Sequence, residues 1–400
     1  MKRIVIVGGG TGGTLLANIL DRREFDVTVV SASPEHLFQP ALLYVAFGGA
    51  SARAPVRDER SLLARHVRFV PDAVTRIDLG ARVVTTARNG ELHYDAVVVA
   101  TGMRTNPSEI PGLAEVNAQV GDYHSDLAQA AKLRASLERF RGGTIALGQA
   151  SPICKCPPSP LEGVLLADEL LRRRDLRDAS RLVLFTPYLR PYPAAPMSAL
   201  VEPVLAERKI EVVTVFDVDR IDPARRTITA IEGDEIAYDL PIVIPPFVGA
   251  DIAYDPPEVL DDSRFIRTDQ TSLRVLGADA AFAIGDATNL PTSKAGVGAH
   301  LEAKVVARTL RGLPAAFDGR TNCPFDFGRG RGTFVVGSYA APVVPIRPTR
   351  LRHLMKLAFA RAYWLSLRGW LEPVLDAYFR LTRPKPARSE RPESAGAGRR

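Results

Sequence analysis

Short apolar runs, separated by glycine turns and amphipathic segments, form the main pattern of this chain. The first run, at 4–7, is followed by glycines at 8–13 and then by a helical pattern from Thr14 to about Asp21. Further apolar runs lie at 27–30, 97–100, 143–148, 181–185, 242–244 and 281–284. Continuous apolar runs are typical of parallel strands that helices cover on both faces. The pattern therefore predicts an α/β fold with two Rossmann-like, three-layer domains.

Three glycines stand between the first predicted strand and the first predicted helix with the spacing G-x-G-x-x-G. They are Gly8, Gly10 and Gly13. Glycine allows a tight turn that brings the backbone close to a pyrophosphate at the N-terminus of a helix. An acidic side chain usually holds the adenosine ribose near the end of the second strand. Ser31 stands there instead, and its hydroxyl can still bond the ribose. We therefore predict a dinucleotide-binding site.

The turn after the apolar run at 143–148 carries cysteine and proline where a second dinucleotide-binding loop would carry glycine. Residues 153–162 read ICKCPPSPLE. Without glycines a nicotinamide phosphate site is not expected, so we predict thiol chemistry and an electron donor other than NAD(P)H. The chain has only three cysteines, too few for a disulfide framework. Lys155 and the helix that begins near Pro160 are candidates to lower the pKa of a thiol.

The C-terminal part of the chain carries an amphipathic helical pattern with basic flanks. The apolar residues that share one helical face are Leu351, Leu354, Met355, Ala358, Phe359, Ala362 and Leu365, and the basic residues beside it are Arg352, Lys356, Arg361 and Arg368. Such a helix, with the rings of Tyr363, Trp364 and Trp370, suits a membrane interface. A helix packed on the protein with a solvated basic side is the alternative. We expect 383–400, rich in Pro, Ser, Gly and charge, to be disordered.

Positive charge is concentrated at the C-terminus of this 400-residue chain. Residues 347–400 hold thirteen Lys or Arg against four acidic residues, whereas the rest of the chain is nearly neutral. This favours an anionic partner surface, and without a base-stacking motif we expect a membrane and no nucleic acid. The sequence has no run of about 18 apolar residues, and the strand at 4–7 leaves no room for a secretory signal. We therefore predict a peripheral membrane protein, on the cytoplasmic face.

Four separated segments together resemble sulfide:quinone oxidoreductase, a branch of the flavoproteins with two dinucleotide-binding-like domains. The segments are 8–13 with 36–40, then 100–102, then 156–162, and then 285–296. The first two are shared with type II NADH dehydrogenases and indicate FAD only. The cysteine-proline loop and the last segment are much more particular. The resemblance covers most of residues 1–380.

The resemblance implies two redox cysteines and a set of FAD-binding residues. Cys156, six residues before Glu162, takes the place of one redox cysteine, and Cys323 takes the place of the second. Glu162 would move protons near the cysteines or, alternatively, only stabilise the first turn of its helix. The residues expected at FAD are Gly8, Gly10, Gly13, Ser31, Gln39, Pro40, Thr101, Gly102, Gly285, Asp286 and Lys294. No metal site is predicted.

The chain departs from the family pattern in three places. There is no cysteine near Tyr123 and His124, so a covalent flavin is not expected. No histidine stands in 188–192, where some members of the family carry one. Cys154 is an additional cysteine, either without a role or an alternative carrier of sulfur.

The resemblance implies that hydrosulfide attacks a disulfide or sulfur bridge between Cys156 and Cys323. FAD would take the two electrons and pass them to a membrane quinone, and a sulfur acceptor would remove the product. Phe359, Tyr363 and Trp364 are candidates for the quinone pocket or the membrane interface. Three alternatives stay open, namely a type II NADH:quinone oxidoreductase, a flavocytochrome-type sulfide dehydrogenase, and a flavin-bearing redox sensor without turnover. An oligomer is possible.

The order of the predicted elements suggests a discontinuous first domain. We expect an FAD-binding domain made of 1–113 and 254–313, with a second dinucleotide-binding-like domain, 114–253, that carries the cysteine loop. A C-terminal quinone and membrane region would follow at 314–382.

Overall fold

The computed structural model describes residues 1–49, 51 and 54–384. The α-helices are α1 (Thr11–Ile19), α2 (Leu42–Phe47), α3 (Glu59–Leu62), α4 (Leu113–Val120), α5 (Leu127–Arg139), α6 (Ser159–Arg173), α7 (Ala195–Glu207), α8 (Gly296–Leu310), α9 (Arg350–Ser366) and α10 (Glu372–Leu381). The first eleven strands are β1 (Lys2–Val7), β2 (Phe25–Ser31), β3 (Glu35–Leu37), β4 (Val56–Asp58), β5 (Arg68–Pro71), β6 (Val74–Asp78), β7 (Val83–Thr86), β8 (Glu91–His93), β9 (Ala96–Val99), β10 (Met103–Thr105) and β11 (Gly143–Gln149). The remaining strands are β12 (Ser180–Phe185), β13 (Ile210–Val213), β14 (Val218–Asp222), β15 (Thr227–Ala230), β16 (Glu235–Ala237), β17 (Leu240–Ile244), β18 (Phe247–Gly249), β19 (Ala253–Asp255), β20 (Ala281–Ala283), β21 (Thr321–Asp326), β22 (Gly332–Ser338) and β23 (Ala341–Pro345).

Two parallel sheets form the centre of the structure. The first has the strand order β20-β9-β1-β2-β5, and the second has the order β13-β12-β11-β17. All the neighbouring strands within each of these sheets run parallel. The predicted α/β fold with parallel sheets is therefore confirmed. The first helix begins at Thr11, three residues earlier than its sequence pattern indicated.

Apolar side chains cover both faces of the first sheet. Ile4 and Ile6 pack with Leu15 of α1 on one face, while Val5 and Val7 lie in a separate cluster on the other. Because successive side chains of a strand point to opposite faces, an uninterrupted apolar run fills both layers. The glycine turn that follows Val7 is thus anchored to a rigid strand.

The C-terminal part of the described chain forms a three-stranded antiparallel sheet, in the order β21-β22-β23, with α9 and α10 beside it. The face of α9 that contains Lys356 and Tyr363 is buried. Its opposite face leaves Leu351 and Leu354 exposed, at 67% and 60%. Within the described residues, no helix is both long and apolar enough to cross a bilayer. The disorder predicted for 383–400 falls mostly on 385–400, which lie outside the described residues.

Candidate functional site

The glycine turn after β1 forms a cradle for a dinucleotide. Gly8 has φ +113°, and a Cβ there would lie 2.4 Å from the carbonyl oxygen of Ala100. A Cβ on Gly13 would lie 2.0 Å from the oxygen of Gly8, so both positions exclude any side chain. A Cβ on Gly10 would meet nothing within 4 Å, which leaves open space at the start of α1. This open helix N-terminus fits the pyrophosphate of the expected FAD.

The other predicted FAD residues surround the same region. Ser31 stands beside the glycine turn, since its Oγ would be 3.2 Å from a Cβ on Gly9. Thr101 also adjoins the turn, with its backbone nitrogen 2.9 Å from a Cβ on Gly8, and Gly102 follows with φ +69° and open space around it. Pro40 lies in a short 3-10 helix, Gln39–Ala41, and Gly285 and Asp286 lie in another, Gly285–Ala287.

Lys155 joins the cysteine loop to these FAD segments. Its Nζ donates a hydrogen bond to Gln39 Oε1 at 2.7 Å and lies 3.8 Å from Asp286 Oδ2. Burial lowers the pKa of Lys155, and Asp286 opposes that shift. The suggestion that Lys155 activates the redox thiol needs correction, because its ammonium is held by Gln39 and Asp286. The cation that lowers the pKa of Cys156 is Lys356 of α9.

Lys294 connects the FAD segments to Cys156 through its backbone. The N–H of Cys156 donates to the carbonyl oxygen of Lys294 at 2.8 Å. The side-chain ammonium of Lys294 donates to the carbonyl oxygen of Thr288 and lies 5.4 Å from the ring centre of Phe265. Burial lowers the pKa of this lysine. Cys156 is therefore fixed to the segment in which the flavin was expected.

The two predicted redox cysteines lie close together, with Cys323 buried and Cys156 partly buried. Cys156 has φ +56°, a left-handed conformation that turns the loop sharply before α6. Cys323 lies on β21, and its Sγ is 3.3 Å from both Ser293 Oγ and Thr321 Oγ1. The pKa of Cys156 is raised well above its usual value, first by burial and next by the charge of Cys323. In this structure both cysteines are free thiols.

The additional cysteine, Cys154, is buried on the other side of Lys155. Its thiol donates to the carbonyl oxygen of Lys155 at 3.3 Å. Burial raises the pKa of Cys154 to about 12, so the thiol is protonated at neutral pH. Because burial raises the pKa of both cysteines of the loop, the preference for Cys156 rests on its spacing to Glu162 and on its position beside Cys323.

Glu162 is buried in the first turn of α6 and forms an ion pair with Lys356. Its Oε1 accepts a hydrogen bond from the N–H of Asp326 at 2.6 Å and another from the ammonium of Lys356. Burial raises the pKa of Glu162, and Lys356 opposes that shift. Lys356 is also the cation that lowers the pKa of Cys156. Because Lys356 is buried, its interpretation as a solvated basic residue on the flank of α9 is wrong. Its burial beside Glu162 is favourable, since a buried carboxylate without a partner would be costly.

Three further side chains extend this pair, and sequence reasoning did not identify them. Tyr44 donates to Asp326 Oδ2 at 2.9 Å, and its ring centre lies 5.4 Å from the ammonium of Lys356. His353 Nδ1 lies 3.4 Å from the same Asp326 oxygen, and its side chain is 20% exposed. Titratable groups thus run from the buried Glu162 towards the surface beside α9. These groups come from four segments that are distant in the sequence, so no local sequence motif identifies them.

His124 also borders the cysteine loop. Its Nε2 lies 2.9 Å from the hydroxyl of Ser159, the first residue of α6. Burial lowers the pKa of His124 to about 3, with a smaller contribution from Lys155. The ring is therefore neutral at physiological pH and can orient the start of α6 without carrying charge.

Tyr363 ties α9 to the glycine turn. Its hydroxyl lies 2.8 Å from Thr11 Oγ1 and 2.7 Å from His36 Nε2. His36 Nδ1 in turn lies 2.7 Å from Glu59 Oε2. Tyr363 is 4% exposed, so its assignment to the membrane interface is wrong. Trp364 is half-buried and packs edge-on against the ring of Tyr363.

A family model shows where this architecture belongs. The model for pyridine nucleotide-disulphide oxidoreductases matches residues 2–303, which is more than half of the chain. The chain belongs to this family. The members of this family are FAD-binding flavoproteins, so the prediction of FAD as the cofactor is confirmed.

Comparison with individual proteins confirms the resemblance stated from the sequence. The mitochondrial sulfide:quinone oxidoreductase of Dictyostelium discoideum is 26% identical over 387 residues, covering 91% of this chain and 85% of the relative. The solved sulfide:quinone oxidoreductase of Aquifex aeolicus superposes with a TM-score of 0.83 at 20% identity, and all of both chains is covered. The type II NADH:quinone oxidoreductase NdhA of Mycobacterium tuberculosis is 38% identical, but over only 25% of this chain.

Proposed function

We propose that this flavoprotein oxidises sulfide and passes the electrons to a membrane quinone. The observation that carries the proposal is the proximity of Cys156 to Cys323, with the backbone of Cys156 hydrogen-bonded to Lys294 beside the predicted flavin segments. A disulfide can accept sulfur as a persulfide, and FAD, when bound, accepts two electrons. The relatives named above as sulfide:quinone oxidoreductases support the same reaction.

The first step follows from the chemistry of the cysteine pair. In the oxidised protein Cys156 and Cys323 form a disulfide, and hydrosulfide attacks one of its sulfur atoms. One new S–S bond forms as the old one breaks, so one cysteine becomes a persulfide and the other leaves as a thiolate. Burial raises the pKa of Cys323, and the hydroxyls of Ser293 and Thr321 oppose that shift by donating hydrogen bonds to its thiolate form. This makes Cys323 the better leaving group.

Protons released by sulfide need a route out of the buried site. Glu162 is a carboxylate whose charge acts on both Cys156 and Cys323, and burial raises its pKa, which favours proton uptake. Lys356 balances its charge when the carboxylate is ionised. The Asp326 carboxylate and the partly exposed His353, which lie 3.4 Å apart, stand on the surface side of Glu162 and are candidates for the next steps. Glu162 is thus a proton carrier in this proposal, and not only a stabiliser of the first turn of α6.

The cysteine loop supports sulfide over NADH as the electron donor. After β11 the chain does not form a glycine turn, and Lys155 and Cys156 are held against Lys294 by backbone contacts. The loop therefore occupies the end of the second sheet where a nicotinamide dinucleotide would approach its helix. The composition of the sheets supports the proposed division into an FAD-binding domain (1–113 and 254–313), a cysteine-loop domain (114–253) and a quinone and membrane region (314–382), because β20 joins the sheet of β1 while β11, β12, β13 and β17 form a second sheet.

The exposed apolar face of α9 supports attachment to a bilayer surface. Leu351 and Leu354 stand free on α9, and on α10 Val374 and Leu381 are 65% and 88% exposed. Several exposed apolar side chains on two successive helices are typical of a binding surface. We propose peripheral attachment through α9 and α10, on the cytoplasmic face, which would bring the flavin site close to its quinone.

Anaerobic titration of the flavin tests the function. Sulfide should bleach the flavin absorbance, a soluble quinone should restore it, and NADH should have no effect. Cys156→Ser should abolish bleaching by sulfide, whereas the matched Cys154→Ser should retain it. Bleaching by NADH but not by sulfide would refute the proposal. An unchanged rate in Cys156→Ser would refute the thiol mechanism alone.

A further inference from the structure

Four arginines line a surface pocket of about 380 Å³ where α9 begins. The residues around this arginine pocket are Arg329, Arg331, Arg347, Pro348, Thr349 and Arg350. Arg329 pairs with Glu207 at 3.0 Å. In the described part of the chain, no carboxylate lies within 4.0 Å of the guanidinium groups of Arg331, Arg347 or Arg350. Three cations are therefore held together without a counter-charge, which favours an anionic ligand.

The arginine pocket directly adjoins the exposed apolar face of α9. Leu351 follows Arg350 in the chain, and Leu354 and Met355 lie one turn further along the helix. These three side chains are 67%, 60% and 37% exposed. Charge and apolar surface thus lie side by side over about one helical turn.

We propose that the arginine pocket binds the phosphate of an anionic phospholipid while Leu351 and Leu354 enter the acyl region of the bilayer. Guanidinium groups bind phosphate oxygens through paired, charge-assisted hydrogen bonds. A nucleic acid would satisfy the arginines but leave the leucines in water, so the combination favours a lipid. The inference rests on the proposed membrane attachment and adds the class of lipid and the residues that select it.

Vesicle co-sedimentation tests this lipid preference with the full-length holoprotein. The vesicles contain phosphatidylcholine alone, or equal parts of phosphatidylcholine and phosphatidylglycerol. Each arginine near an anionic surface is expected to strengthen binding about fivefold. The double variant Arg331→Gln/Arg347→Gln should therefore bind the anionic vesicles about twenty-fivefold more weakly than the parent. The matched control, Arg82→Gln/Arg267→Gln, removes two exposed arginines outside the C-terminal region and should bind like the parent.

Two further measurements keep the outcomes distinct. Binding of the parent to the anionic vesicles should weaken as salt is added, which needs no variant. Inorganic phosphate at the same ionic strength should compete no better than chloride, because the free anion lacks the apolar part. Equal binding to both kinds of vesicle, equal loss in the control variant, or full competition by phosphate or by a DNA duplex would overturn the inference. Flavin bleaching by sulfide reports on the proposed function separately, since it is measured without vesicles.

Discussion

Lys356 of α9 and Glu162 of α6 form a buried ion pair across 194 positions of the chain. Burial by itself would lower the pKa of Lys356, but the carboxylate of Glu162, with Tyr44 and Asp326, raises it above its usual value. The lysine is therefore charged at neutral pH. The pair places a positive charge from α9 near Cys156, one of the two proposed redox cysteines, and so links the proposed membrane-binding element to that thiol.

Removing Lys356 alone should destabilise the protein strongly. Lys356→Met leaves the Glu162 carboxylate buried without a partner, which typically costs about 3–5 kcal/mol. The double variant Glu162→Gln/Lys356→Met should recover most of this loss, because no buried charge remains. Urea unfolding of the two single variants, the double variant and the parent measures the coupling. Additive effects of the two substitutions would contradict the pairing.

The same pair should set the reactivity of Cys156. Glu162 raises the pKa of Cys156 and Lys356 lowers it. In the reduced protein, Glu162→Gln should shift the pH profile of Cys156 alkylation to lower pH, and Lys356→Met should shift it to higher pH. Cys154, which neither group is found to affect, serves as an internal control when both sites are followed by mass spectrometry. A profile that does not move in either variant would contradict the prediction.

Substitutions in the glycine turn should separate folding from cofactor binding. Gly13→Ala would place a methyl group 2.0 Å from the oxygen of Gly8, so the turn itself must shift and FAD should be lost. Gly10→Ala meets only open space in the protein. That variant should fold with the stability of the FAD-free parent but bind FAD more weakly, since the methyl group faces the expected pyrophosphate. Flavin content, together with thermal unfolding of the FAD-free proteins, distinguishes the Gly13→Ala variant from the Gly10→Ala variant. Normal flavin content in Gly13→Ala would refute the assignment of the glycine turn to FAD.

The neutral state of buried His124 predicts a specific pH dependence of stability. Its pKa is about 3 in the folded protein and about 6.5 in the unfolded chain. Below pH 6.5 only the unfolded state takes up this proton, so stability falls as the pH decreases towards 3. The contribution approaches about 1.4 kcal/mol per pH unit. His124→Gln should lack this contribution, and urea unfolding between neutral pH and pH 5 can measure the difference. If the free energy of unfolding depends on pH equally in the variant and the parent, the prediction is wrong.

The local parts of this architecture could be predicted from the sequence. The uninterrupted apolar runs indicated both parallel sheets, and the spacing of Gly8, Gly10 and Gly13 indicated the dinucleotide turn. Each of these signals lies within a few residues, where sterics and burial act directly. The loop with Cys156 could likewise be recognised, because proline and cysteine replaced glycine at a defined place after a strand.

The long-range part of the site could not be derived in this way. Lys356 has the same sequence environment as the solvated basic residues on α9, and only the position of Glu162 in space explains its burial. The partners of Lys155 could not be predicted either, because Gln39 and Asp286 are remote from it in sequence. Lys356 and Tyr363 are seven residues apart, and this spacing places both on the same face of α9. The spacing is a local signal that is consistent with their shared burial.

The two faces of α9 have a practical consequence for protein preparation. Deleting α9 and α10 would be the obvious route to a form that does not adhere to membranes. The same deletion would remove Lys356 from Glu162 and Tyr363 from Thr11 and His36, leaving a carboxylate and an imidazole open to water beside the cofactor. A water-soluble form is better obtained by exchanging Leu351 and Leu354 for polar residues, since these exposed positions can be changed without touching the interior.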